Sequence, residues 1–112
     1  DWNAGRKAAA AAYADAGIAE VVTPQDVPAG ADPVFHLYMV QADDPDALAA
    51  KLGDAGIEAR GYYRTPIHRQ PAIAADVELP ATDALAARNL ALPMSPVLTA
   101  DQAQTVVTAL QA

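Results

Sequence analysis

"GIEARGYYRTPIHRQPAI", from Gly56 to Ile73, holds more polar chemistry than any other stretch of this chain. Tyr62, Tyr63, Arg64, His68, Arg69 and Gln70 lie within it, with Pro66 among them and Pro71 after them. A guanidinium binds anions through a planar donor fork. A tyrosine ring stacks while its hydroxyl hydrogen-bonds, and an imidazole takes or gives a proton near neutrality. Such a collection fits an active site, a part of one, or only a polar loop.

Other reaction chemistries find no support. The only serine, Ser95, lies in "LPMSPVL" between prolines, without the Gly-x-Ser-x-Gly setting of a hydrolase nucleophile. There is no cysteine, which removes disulfides, thiolate catalysis and cysteine-bound zinc. The two histidines, His36 and His68, fall on different elements, and His36 is expected as a satisfied core residue within a strand, so no metal site is expected. "DDPDALAAKLGD" lacks the oxygen ligands and the sixth-position glycine of a calcium loop. No Gly-rich phosphate loop is present. A Schiff-base lysine needs a dry pocket, and the two lysines, Lys7 and Lys51, fall beside alanines on helices expected at the surface.

The bulk properties narrow the partners. At 112 residues the chain is one domain with a modest core. A net charge of −7 argues against nucleic acid, although Arg60, Arg64 and Arg69 make one segment locally basic. No apolar run approaches the roughly 20 residues of a membrane span. The N-terminus does not read as a signal peptide, so a cytoplasmic location is the default expectation. The first residue is not methionine, as expected of a chain cut from a longer one or processed.

The elements that must position the polar loop can be read in order. Alanine-rich Asn3 to Ala16 predicts a helix that Gly17 ends. Pro33 to Ala42 predicts the best strand, preceded by a Pro- and Gly-rich connection with a short strand expected at Val21. "DDPDALAAKLGDAGI" predicts a helix capped by Asp44, with Pro45 at its first position, Leu48, Leu52 and Ala55 as its buried stripe, and Gly56 as its stop. "IEARGYY" predicts a second strand. "LPATDALAARNLALP" predicts a helix capped by Thr82 and then an extended piece at Leu90 to Leu92. The last helix carries a capping box, Thr99 with Gln102, and a buried stripe of Ala103, Val106, Val107 and Leu110. Together these predict an α/β (α+β) two-layer sandwich: a small, mostly antiparallel sheet with helices largely on one face.

The order of motifs resembles a known family. His36-Leu37-Tyr38, then Asp46-Ala47-Leu48 through Ala55-Gly56-Ile57, then Tyr63 with Pro66, His68, Gln70 and Pro71 recur in the C-terminal part of the DegT/StrS-type sugar aminotransferases. So do Leu79-Pro80, Thr82-Asp83 and Leu90-Ala91-Leu92-Pro93-Met94-Ser95-Pro96 with Leu98-Thr99. The family loop often begins His-Tyr-Pro, where this chain has Tyr62-Tyr63-Arg64.

That resemblance implies a pyridoxal-phosphate enzyme of the aspartate-aminotransferase fold that aminates nucleotide-linked keto-sugars. It implies that the cofactor, its lysine and the aspartate beside the pyridine nitrogen belong to a large N-terminal domain outside this chain. Residues 1–17 would then be the linking helix and 18–112 the C-terminal small domain. Such a domain is part of a homodimer, binds no pyridoxal phosphate alone and is not catalytic alone. The loop would contain the nucleotide-sugar substrate, with His68, Tyr63, Tyr62, Arg64 and Arg69 as the substrate-binding residues. Arginine suits a diphosphate, tyrosine a base or a hydroxylated ring, and Pro66 and Pro71 stiffen the frame. A different class also fits: a free-standing α/β binding or regulatory module without transaminase chemistry. A domain severed from a partner should expose an apolar face, whereas a free-standing one should be polar there.

Overall fold

The computed structural model describes residues 1–112. Four helices are formed, α1 (Trp2–Asp15), α2 (Pro45–Asp54), α3 (Pro80–Arg88) and α4 (Ala100–Gln111). Three short strands, β1 (Thr23–Pro24), β2 (Tyr38–Gln41) and β3 (Asn89–Leu92), make one antiparallel sheet in the order β1-β2-β3. Single 3-10 turns occupy Ile18–Glu20 and Ile67–Arg69. No helix is long and apolar enough to cross a membrane.

Local chemistry accounts for the helix ends. Asp44 accepts from Ala47 N at 2.9 Å, Pro45 begins α2, and Gly56 at φ 75° closes it. Ile57 N then donates to Leu52 O and Gly56 N to Gly53 O, both at 2.9 Å, which is the paired 6→1 and 5→2 closure of a left-handed helix stop. At α4 the capping box is complete: Gln102 N donates to Thr99 Oγ1 at 3.2 Å, and Thr99 N to Gln102 Oε1 at 3.0 Å.

The sheet register builds the core. Tyr38 faces Leu92 and Val40 faces Leu90, so these four side chains share one face, and all are buried. Against them pack Tyr13 of α1, Leu52 of α2 and Val106, Val107 and Leu110 of α4. Tyr13 stacks on Tyr38 with ring centroids 4.6 Å apart and donates its hydroxyl to Pro93 O at 2.7 Å. The opposite face carries Met39, Gln41, Asn89 and Ala91. It is on this side that the polar loop lies.

Several expectations need correction. The strand foreseen over Pro33 to Ala42 keeps only Tyr38–Gln41. Beyond Leu92 the next pairing position is Pro93, which has no N–H to donate, and Phe35 at φ 49° breaks the alternation. His36 is therefore exposed rather than a core residue. "IEARGYY" forms a single bridge, Arg60 to Ala91, instead of a strand. The Tyr62 N–H goes to the side chain of Asn89, 27 positions on, rather than to a ladder carbonyl. Thr82 does not cap α3; Pro80, with φ already set for a first helical position, starts the helix behind Leu79. Ala55 is exposed, and the short strand expected at Val21 begins two residues later, as β1 at Thr23, after the 3-10 turn at Ile18–Glu20.

Candidate functional site

The Tyr62–Pro71 loop is anchored at three points. Arg60 and Ala91 exchange both backbone hydrogen bonds, at 3.2 and 2.7 Å. Two residues later, Tyr62 N donates to Asn89 Oδ1 at 2.7 Å. Arg64 then folds back over Gly61, where a Cβ would come within 2.4 Å of its Nε. From there its guanidinium donates to Asn89 O at 2.7 Å and to Asp46 Oδ1 at 2.8 Å. Tyr62 and Arg64 are thus tied to the start of β3, and Arg64 also to the start of α2.

The second half is held from α3. His68 is buried, and its Nε2 lies 3.0 Å from Asp83 Oδ1, in contact though not aligned as a directed hydrogen bond. Arg69 Nη2 donates to Asp83 Oδ2 at 2.9 Å and reaches Glu78 Oε2 at 3.6 Å. The hydrogen bond from Arg69 is the main reason the Asp83 carboxyl sits below the usual carboxylate range; the same bond raises the Arg69 guanidinium. Gln70 Nε2 donates to Thr65 O at 3.0 Å, closing the loop on itself.

The exposed side chains of the loop include aromatic and apolar ones. Tyr63 is 75% exposed and Ile67 76% exposed, and the Tyr62 and Tyr63 rings meet edge-to-face with centroids 5.5 Å apart. Tyr62 stands between two clefts. One, of about 480 Å³, lies over the second face of the sheet and is lined by Met39, Gln41, Tyr63, Ile67, Leu85 and Asn89 among others, with no charged side chain. The other, of about 870 Å³, is bounded by His36, Arg60, Met94, Ser95 and Gln102. No group of three or more His, Cys, Asp or Glu side chains is placed to hold a metal.

All five candidate residues from the sequence fall in this one loop, but in different states. Tyr62 and Tyr63 face the clefts, His68 is buried beneath the loop, and Arg64 and Arg69 each commit part of their guanidinium to the protein, Arg64 to Asn89 O and Asp46 and Arg69 to Asp83. Asn89, Asp83 and Asp46, which hold the loop, were not foreseen. Asn89 was visible as the one polar residue in "NLALP", and the two aspartates resembled ordinary first-turn helix charges.

The DegT/DnrJ/EryC1/StrS aminotransferase family model matches residues 1–111. The chain belongs to this family. It is 34% identical over 116 residues to the dTDP-3-amino-3,4,6-trideoxy-alpha-D-glucose transaminase of Streptomyces venezuelae, covering 98% of this chain and 30% of that protein. It is 41% identical over 91 residues to a pleiotropic regulatory protein of Geobacillus stearothermophilus, covering 78% of this chain and 24% of that one. Among solved structures, a family aminotransferase from Brucella abortus superposes with a TM-score of 0.89 at 30% identity, over 99% of this chain and 31% of its own. S. venezuelae DesV, in complex with a ketimine intermediate, gives 0.89 at 34% identity over 96% and 30%. This aminotransferase-family domain therefore spans about a third of the length of the relatives it matches.

The family is pyridoxal-phosphate dependent. Neither lysine of this domain is placed as the Schiff-base partner of that group. Lys7 is paired with Asp32, and Lys51 donates to Leu110 O at 2.9 Å, so neither amine opens into a cleft where a cofactor aldehyde could meet it. No step through the cofactor is assigned to this chain.

Proposed function

We propose that this is the C-terminal small domain of a pyridoxal-phosphate aminotransferase acting on nucleotide-linked keto-sugars, with the Tyr62–Pro71 loop as a wall of the substrate site. A large N-terminal domain, with α1 as the end of the helix linking the two, supplies the cofactor, its lysine and the site for the amino-group donor. The domain also contributes to a homodimer and does no amino transfer alone. The relatives named for dTDP- and UDP-linked sugars support the substrate class.

The observation that carries this reading is the division of labour within the loop. Arg64 and Arg69 are bound to Asn89, Asp46 and Asp83, so they hold the frame, and His68 braces it from below. Tyr62 and Tyr63 then stand as an aromatic pair at an uncharged cleft, suited to a planar base or a sugar face rather than to phosphates. A covered surface elsewhere is also indicated. Trp2 and Val97 are 73% and 80% exposed and flank the tight contact between Gly5 and Pro96. Large apolar groups at such a place suit burial against the rest of an enzyme better than a free-standing module.

The test uses the complete polypeptide that carries this domain, titrated calorimetrically with dTDP-glucose and with UDP-glucose. Tyr63→Ala should weaken binding about tenfold, the scale of one lost base–aromatic stack, with an unchanged unfolding midpoint because the side chain is exposed. Equal affinity in parent and variant would return the loop to a structural role.

A further inference from the structure

We infer that Asn89 is a positioning residue for nucleotide-sugar binding: its buried carboxamide sets where the Tyr62–Tyr63 pair stands over the sheet. This rests on the reading of the loop given above. Asn89 is 3% exposed and opens β3, whose other three residues are apolar. Its Nδ2 donates to Leu85 O at 3.2 Å and to Ala86 O at 3.1 Å in the last turn of α3, where Leu85 O also accepts the backbone N–H of Asn89. Its Oδ1 accepts from Tyr62 N at 2.7 Å. These partners determine the amide orientation, because a flip would set an NH2 against an N–H and an oxygen against two carbonyls.

The side chain thus spans from the end of a helix to the base of the loop. The backbone of the same residue does the same for Arg64, whose Nη1 donates to Asn89 O at 2.7 Å. Tyr62 and Arg64 are both referenced to one residue, one turn of chain after the loop leaves the Arg60–Ala91 bridge. Without that hold, Tyr62 N–H would be free to continue the ladder or turn to water, and the ring would leave the boundary between the two clefts. Few side chains of this size could serve. Aspartate keeps the acceptor and loses both donors, and leucine keeps the volume and loses everything else.

The experiment compares Asn89→Leu and Asn89→Asp in the complete polypeptide. It reads three quantities: affinity for dTDP-glucose and UDP-glucose, unfolding midpoint, and amide hydrogen exchange of the peptide containing Tyr62. Asn89→Leu should weaken binding about tenfold, the size of one lost buried hydrogen bond, and speed exchange at Tyr62 by a similar factor. Asn89→Asp should lower the midpoint comparably but hold affinity within about threefold of the parent, since Tyr62 N–H keeps its acceptor. If Asn89→Leu does not fold, Asn89→Ser, too short to reach both helix and loop, takes its place. A merely structural Asn89 would lower the midpoint in every variant and leave the affinity of the folded protein untouched, which would overturn the inference. Binding that responds to Tyr63→Ala but not to Asn89→Leu removes the positioning role alone. Binding indifferent to Tyr63→Ala, or a parent that binds neither probe, removes the reading of the loop and this role with it.

Discussion

Asp83 Oδ1 on the first turn of α3 lies 3.0 Å from His68 Nε2, the one buried polar side-chain atom of the protein without a directed hydrogen bond. The other oxygen of the same carboxylate holds Arg69 at 2.9 Å. A single acid on a helix thereby gathers two neighbouring loop residues, fifteen and fourteen positions earlier in the chain. The loop is held at this end by charge, and at the other end by the Asn89 amide together with the Arg64–Asp46 ion pair.

Acid should loosen the charged end first. The Asp83 carboxyl is depressed by the hydrogen bond from Arg69, then by the charges of Arg69 and His68, against an opposing effect of desolvation. A depressed carboxylate contributes stability above its ordinary value of 3.8, and loses it as pH falls through the lower folded value. Unfolding midpoints measured downward from about pH 5 should therefore fall below about pH 4 in the parent and fall less steeply in Asp83→Asn. Parallel curves would mean that this carboxylate adds nothing specific to acid stability.

Alkali should act through the core tyrosines. Burial pushes the hydroxyls of Tyr13 and Tyr38 up, and the charge of Tyr38 pushes Tyr13 further. A group with a raised folded value contributes stability that is complete below the unfolded value near 10 and declines as pH rises beyond it. Tyr13→Phe leaves Pro93 O without its partner and should cost about 1–2 kcal/mol in urea unfolding at neutral pH. The same variant should flatten the loss of stability above about pH 10.

Two glycines should respond in opposite directions to alanine. Gly53 lies in α2 with open space where an alanine methyl would stand, so Gly53→Ala should stabilise by about 0.5–1 kcal/mol through helix propensity. Gly5 lies in α1, where a Cβ would meet Pro96 O at 2.2 Å. The same propensity gain applies there, but displacing a helix from packed backbone costs about 1–3 kcal/mol, so Gly5→Ala should destabilise on balance. Paired denaturant titrations decide both, and a stabilised Gly5→Ala would show that the α1–Pro96 contact yields easily.

Three helix ends were legible from local physics alone, although the cap read at Thr82 was not one of them. Asp44-Pro45, Gly56-Ile57 and Thr99 with Gln102 specify helix ends through bonds that span six residues or fewer, and they stand as read. The spacing of Val106, Val107 and Leu110 specified a buried face in the same way. The ordered motifs from His36 to Thr99 also located the family and gathered Tyr62, Tyr63, Arg64, His68 and Arg69 into one candidate loop. The state of each of those residues was a different matter. Whether Arg64 faces a ligand or the protein depends on Asp46, 18 positions back, and on Asn89, 25 positions ahead. Whether His36 is core or rim depends on Pro93 ending the strand that would have paired with it. A donor's partner at such separations is set by how helices and strands pack, and only the tertiary structure contains that.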